Sequence, residues 1–151
     1  MKPLFILLGI FAVSFPVLKL FGEESAFSLA GRIAMSGMLL FTAVGHFVFV
    51  KGMTMMMPNF LPFKKEMVYL TGGIEVAAAI GLLIPIFQNL AARLLLLFFL
   101  LILPANINAA INKIDYQKGT TDGNGLNYLW FRVPLQIFFM AWVYFFAISF
   151  R

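Results

Sequence analysis

Five apolar segments dominate the sequence, and each is about long enough to cross the hydrocarbon core of a bilayer as an α-helix. They are Pro3–Phe21, Leu29–Val50, Met67–Phe87, Ala91–Ile111 and Tyr128–Phe150. The stretches between them are modest loops with no soluble domain. The sequence therefore predicts an all-α, multi-pass membrane protein with five transmembrane helices.

Composition agrees with the lipid bilayer as the main partner of this chain. Of its 151 residues, 62% are hydrophobic and only 11% are charged, with a mean hydropathy of +0.97. Soluble chains are nearer half apolar and a quarter charged. The net charge is +5, but the basic residues are scattered singly between apolar runs. That spacing suits loops facing anionic lipid and argues against a nucleic-acid partner.

The chain has no cysteine and one histidine, His46. This excludes disulfides, thiolate metal sites, iron–sulfur clusters and bis-histidine haem ligation, and it makes a zinc site poor. Methionines 53 and 55–57 follow His46 closely, and thioether clusters select Cu(I). Methionine is also a flexible packing residue at interfaces. We expect this methionine stretch to be an interfacial loop, with no metal site, no resident cofactor and no catalytic residue identified.

The distribution of lysine and arginine predicts the orientation in the membrane. The first segment resembles the start of a signal peptide, but no small-x-small cleavage site follows it, so we expect it to be retained. With the N-terminus cytoplasmic, seven of the 11 basic residues fall on the cytoplasmic side. The other side receives Lys19, Arg32, Arg93 and Arg151. The bias favours a cytoplasmic N-terminus, and a bacterial inner membrane is the expected location.

Polar residues inside membrane spans are costly, so each needs an explanation. At about 1.5 Å rise per residue, six of them from four segments fall within the same leaflet. They are His46, Glu75, Asn106, Asn108, Arg132 and Gln136. One interpretation is a polar cavity open to one side. The other is interhelical hydrogen bonding that holds a bundle together. For His46, a structural hydrogen-bonding role and a place in a ligand or proton site both remain open.

Glu75 should face the bundle interior, because a central carboxylate costs about 3 kcal/mol in lipid. Its expected partner is Arg132 if it is ionised, or His46, Asn106 or Gln136 if it is protonated or shares a proton.

Small residues and a proline predict how one helix packs and where another bends. Gly73, Ala77 and Gly81 recur every four residues and predict a close helix–helix contact. Pro104 leaves the carbonyl of Leu100 without its helical donor and predicts a kink.

Three stretches, read in order, resemble the DoxX-like family of small membrane proteins. They are "LLFTAVGHFVF", "MMPNFLPFKKEMVYLTGGIEVAAAIGLLIP" and "AARLLLLFFLLILPANINAAI". The resemblance covers about residues 29–150. It implies a four-helix transmembrane bundle over residues 29–151, preceded by an additional N-terminal transmembrane helix and loop in residues 1–28. Residues of this chain that match the family's motifs are Gly45, His46, Pro58, Pro62, Gly72, Glu75, Pro104, Asn106 and, more weakly, Gln136.

The resemblance also implies a class of function. The family name comes from a subunit of a thiosulfate:quinone oxidoreductase, and other relatives act in assembly or in redox-associated membrane complexes. We therefore expect a non-catalytic subunit or assembly factor with a membrane-protein partner, or a homo-oligomer. One alternative is a protein that binds, or acts as an enzyme on, a quinone, a lipid or another small amphiphile through its polar cluster. The other is a small proton-coupled transporter, although no inverted repeat is evident.

Overall fold

The computed structural model describes residues 2–150. Within this range the chain forms six α-helices and a terminal π-helical segment. The helices are α1 (Lys2–Leu20), α2 (Ala26–Val48), α3 (Val50–Met56), α4 (Lys64–Leu83), α5 (Pro85–Ile111) and α6 (Leu126–Val143), and α6 continues into the π-helical segment Tyr144–Ser149. Arg151, which entered the charge argument, lies outside the described residues.

Five of these helices are long and apolar enough to cross a membrane: α1, α2, α4, α5, and α6 taken with its π-helical extension. Helices satisfy every backbone donor and acceptor within one segment, which the hydrocarbon core requires. The protein is therefore an all-α, multi-pass membrane protein, as the sequence predicts. The boundary between the third and fourth spans is sharper than expected, because α4 ends at Leu83 and Pro85 is the first residue of α5. Proline suits that position, where no backbone N–H is needed.

Helices α2, α4, α5 and α6 contact one another in sequence around a shared core, and the π-helical segment closes the ring against α2. The core includes Met35, Leu39, Leu82, Leu95 and Val143, each almost fully buried. Helix α1 packs on the outside of α2.

The contact made by α1 is specific rather than loose. Leu7 is completely buried in the common core. Phe11 lies edge-on to Phe27 of α2 and to Trp142 of α6, with ring centroids 5.7 and 5.2 Å apart. Such pairs add about 0.5–1.5 kcal/mol each beyond their area burial. The first helix is thus part of the packed unit, although it lies outside the stretch that resembles DoxX-like proteins.

The methionine stretch, expected to be an interfacial loop, forms the short helix α3. It packs closely against the loop of residues 112–125, since a Cβ at buried Gly52 would collide with the backbone of Tyr116. Asn108 of α5 donates a hydrogen bond of 2.9 Å to the carbonyl of Met56 at the end of α3. One of the six predicted polar residues therefore secures α3.

Within this chain, the prediction of a helix–helix contact through three small residues of α4 is wrong for two of them. Gly73 and Ala77 are exposed, and a Cβ at Gly73 would meet nothing within 4 Å. Gly81 does approach α5, where its Cβ would lie 2.8 Å from that of Ala91. The close approach to α2 is made instead by Gly72, whose Cβ would lie 2.8 Å from His46 Cβ. Successive residues are about 100° apart around a helix axis, so Gly72 lies on the inward face and Gly73 does not.

Candidate functional site

A cavity of about 860 Å³ lies within the ring formed by α2, α4, α5 and α6, at the end where α2 and α5 finish and α4 and α6 begin. Its walls are mostly apolar and include Met38, Leu39, Phe98, Leu135 and Phe139. Five of the six predicted polar residues line it: His46, Glu75, Asn106, Arg132 and Gln136. Five of the six residues that the depth argument placed in one layer therefore lie around one cavity. Asn108 is the exception, since it bonds to α3.

His46 and Glu75 lie close together in the lining of the cavity. Nε2 of His46 lies 3.5 Å from Oε1 of Glu75. The other ring nitrogen, Nδ1, lies 3.1 Å from the carbonyl oxygen of Val68 and 3.0 Å from the hydroxyl of Thr71. The ring is thus held on both sides by α4, and the absence of a side chain at Gly72 gives it room.

Glu75 is 6% exposed, yet only one of its oxygens has a polar neighbour. Oε2 is buried and has no hydrogen-bond partner among the described residues. Buried polar atoms are nearly always paired, so such an atom indicates a missing partner. Of the expected partners, His46 is the one that contacts Glu75, whereas no carboxylate in residues 2–150 lies within 4.0 Å of the Arg132 guanidinium. His46 takes the place of Arg132 because α2, not α6, is the helix packed most extensively against α4.

The remaining polar residues form a second network between α5 and α6. Asn106 donates to Gln136 Oε1 at 3.0 Å, and Gln136 donates to the carbonyl of Phe99. Arg132 donates from Nε to Asn106 Oδ1 at 3.3 Å and from NH1 to the Tyr128 hydroxyl at 3.1 Å. Both amides are more than 90% buried. Both interpretations apply to these residues, since their hydrogen bonds join α5 to α6 and their side chains line the cavity.

Pro104 lies within α5, which runs without interruption from Pro85 to Ile111. The side chain of Gln136 donates a hydrogen bond to the carbonyl of Phe99 in this helix. Phe99 directly precedes Leu100, whose carbonyl Pro104 was expected to leave without its helical donor.

Thr71 and Tyr128 are two polar cavity residues that were not predicted from the sequence and that contact predicted ones. Each lies four residues before a predicted one, Glu75 and Arg132 respectively, and so shares its helix face. A search for polar partners one turn away would have found both.

The outer end of the cavity is bounded by α3 and by the loop of residues 112–125. Met53, Met56 and Met57 line it there, together with the charged residues Lys118 and Asp122. The Thr120 hydroxyl donates to Asp122 and holds the pKa of that exposed carboxylate below its ordinary value. No three His, Asp or Glu side chains among residues 2–150 are grouped as a metal site. The absence of copper from the methionine stretch stays a prediction.

The opposite end of the bundle holds another polar cluster, which the sequence analysis missed. Arg32 of α2 donates to Gln88 Oε1 at 2.6 Å, and Gln88 donates to the carbonyl of Ala147 at 2.9 Å. Ser28 donates to the carbonyls of Phe146 and Phe150 at 3.0 and 2.9 Å. Applying the depth argument to this end would have paired Arg32 with Gln88.

A family model described as "Domain of unknown function (DUF8561)" matches residues 35–147, which is most of the chain. The chain belongs to this family. The matched region begins within α2 and ends in the π-helical segment, and it contains His46, Glu75, Asn106, Arg132 and Gln136. No curated protein and no solved structure matches the chain. Membership of the DUF8561 family carries no assigned activity, and the DoxX-like resemblance stays a prediction.

Proposed function

We propose that this DUF8561 protein binds a small amphiphilic molecule in the cavity between α2, α4, α5 and α6. One observation carries the proposal: a cavity of about 860 Å³ with apolar walls holds a few convergent polar side chains at its inner end. Small-molecule sites typically enclose about 300–1,000 Å³ and combine such walls with a few polar groups. Quinones and lipids both have this division into a polar head and an apolar body.

The cavity is also too polar to be explained by helix packing alone. Asn106, Gln136 and Arg132 satisfy one another, and such a network suffices to join α5 to α6. Glu75 and His46 lie outside that network and face the same cavity. An intramembrane carboxylate with an unpaired oxygen is expensive and is by default a functional group.

The test is recovery of the bound molecule from protein purified in native nanodiscs, followed by mass spectrometry of small molecules. The wild-type chain should retain a stoichiometric amphiphile. Ala109 is 3% exposed and lines the cavity, so Ala109→Leu should fill part of the space and reduce the retained amount at least several-fold. Ala141→Leu, on the exposed face of α6, is the matched control and should retain it. Equal retention in both variants would contradict the proposal.

For the architecture, we propose a DoxX-like four-helix transmembrane bundle made by α2, α4, α5 and α6, with α1 as an additional span. The ring of contacts among these four helices and the external position of α1 support it. Lys2, Lys51, Lys113 and Lys118 all belong to the cavity end, which supports a cytoplasmic cavity mouth, as in a bacterial inner membrane. Cysteine-accessibility labelling at Ser25 and Thr120 should place these two loops on opposite sides of the membrane.

A second candidate function is that of a subunit or assembly factor for another membrane protein. The exposed Gly73 and Ala77 favour it, since small residues on a lipid-facing helix allow another helix to approach closely. Ala77→Leu should then abolish co-purification of the partner while leaving the melting temperature of the isolated chain unchanged. A partner that persists in this variant would remove the α4 face from consideration.

A further inference from the structure

The protonation of the His46–Glu75 pair can be assigned from its surroundings. A backbone carbonyl only accepts hydrogen bonds, so the 3.1 Å contact to the carbonyl of Val68 requires a proton on His46 Nδ1. The Thr71 hydroxyl lies 3.0 and 2.9 Å from the carbonyl oxygens of Met67 and Val68 and can donate its proton to either of them. It therefore need not donate to the ring.

With Nδ1 protonated, a neutral His46 would turn a bare Nε2 toward Glu75 Oε1, 3.5 Å away. Two acceptors facing each other repel unless a proton lies between them. One further proton on the pair removes this repulsion, as an imidazolium with a carboxylate or as an imidazole with a carboxylic acid. Its net charge is zero in both forms.

That proton is directed at Oε1, which leaves Oε2 as an acceptor. Oε2 is buried, has no partner within residues 2–150, and belongs to a side chain that lines the cavity. A molecule that satisfies it must therefore bring a hydrogen-bond donor.

The electrostatics of the cavity select between the two common donors, a hydroxyl and a protonated amine. The His46–Glu75 pair contributes no net charge, and Arg132 lies beyond 4.0 Å of every described carboxylate. The inner cavity is thus net positive, which disfavours a cation in a region of low dielectric constant. A neutral hydroxyl meets no such repulsion.

Resting on the proposed function, we propose that the ligand of this cavity is a neutral amphiphile whose hydroxyl group donates a hydrogen bond to Glu75 Oε2, beside a His46–Glu75 pair that carries no net charge. An apolar body of the ligand lies against Met38, Phe98 and Phe139. The hydroxyl can be aromatic, as in a phenol or a reduced quinone, or aliphatic, as in a lipid alcohol.

Binding to the unmodified chain in nanodiscs tests the ligand chemistry without any variant. The probes are a long-chain alkylphenol and its methyl ether, a long-chain primary alcohol and its methyl ether, and the corresponding alkylamine, each measured by titration calorimetry. Methylation removes only the donor, so each ether should bind at least about tenfold more weakly than its parent. Tighter binding by the phenol identifies an aromatic head group, and tighter binding by the alcohol identifies a lipid.

Glu75→Gln should weaken binding of the preferred hydroxyl compound about tenfold and remove the difference between it and its ether. Glu66→Gln makes the same change at an exposed position on the same helix, outside the cavity lining, and should bind as the wild type does. Equal affinities for hydroxyl and ether, or tighter binding of the amine, would overturn the inference and leave the cavity proposal standing. Failure of every probe to bind would overturn both.

The proton assignment has its own test, because His46 is the chain's only histidine. Protein labelled with ¹⁵N-histidine should give a single pair of ring nitrogen signals. The Nδ1 signal should be that of a protonated nitrogen, and saturation with the hydroxyl ligand should shift the Nε2 signal. A bare Nδ1 would mean that the ring proton is on Nε2 beside an ionised Glu75, and it would overturn the zero net charge of the pair.

Discussion

Similar polar side chains have different roles at the two ends of the helical bundle. At the far end, Arg32 and Gln88 connect three elements through hydrogen bonds of 2.6 and 2.9 Å, and Phe27 packs against Phe146 with ring centroids 5.0 Å apart. At the cavity end, His46 and Glu75 meet at 3.5 Å beside a cavity of about 860 Å³. The first arrangement is closed and the second leaves room for another molecule.

The difference shows why the number of polar residues in a membrane span does not by itself indicate function. Most polar atoms of the far cluster bond to other elements, mainly to carbonyls of the π-helical segment, although Arg32 Nε is buried without a partner among the described residues. At the cavity end a whole carboxylate oxygen is left over. We therefore expect substitutions at the far end to change stability, and substitutions at Glu75 to change binding.

The largest loss of stability should follow Gln88→Leu. This change removes the partner of the half-buried Arg32 guanidinium and the bond to the Ala147 carbonyl. Leaving such a charge unpaired should cost about 2–3 kcal/mol. A fall in melting temperature in mild detergent would measure it. Arg32→Met in the same chain should restore part of the loss, and no rescue would mean that the cluster is not a charge-dependent unit.

Next in size is Gly31→Ala, also at the far end. A Cβ at this buried position would collide with the ring of Phe146, so the ring or the helices must shift, at about 1–2 kcal/mol. Gly73→Ala is the matched control, since a Cβ there would meet nothing within 4 Å. Thermal unfolding of the two variants side by side measures the difference. Equal melting temperatures would show that the far end is packed less closely than described.

The smallest effect on stability should be that of Glu75→Gln, less than about 1 kcal/mol, although it changes the most buried ionisable side chain at the cavity. The amide keeps the shape of the side chain, and Oε2 has no bond to lose. The melting temperature without ligand should therefore stay close to that of the wild type, while added ligand should raise it less. A large destabilisation without ligand would mean that Glu75 holds the bundle together, and the contrast between the two ends would fail.

Depth in the membrane was predictable because it depends only on counting residues from the end of a helix. The rise of about 1.5 Å per residue placed His46, Glu75, Asn106, Arg132 and Gln136 in one layer, and the structure gathers them around one cavity. The same argument needs no knowledge of which helices are neighbours. Applied to the other end, it would have found Arg32 and Gln88 as well.

Rotation about each helix axis was not predictable in the same way. The choice between Gly72 and Gly73 as the contact residue, and between His46 and Arg132 as the partner of Glu75, depends on which helix packs against α4 and at what angle. Each residue turns a helix by about 100°, so an error of one position moves a side chain from the core to the lipid. Asn108 faces α3 rather than the cavity for the same reason.

The sequence by itself determined that lipid surrounds the helices, how many long apolar helices there are, and in which layer the polar side chains lie. These follow from the length of apolar runs and from the need of every backbone group in lipid for an internal partner. Only the tertiary structure decided which polar groups are satisfied and which are not. The unpaired Oε2 of Glu75 exists because α2 brings His46 to one side of the carboxylate, and no other element among the described residues fills the space on the other side.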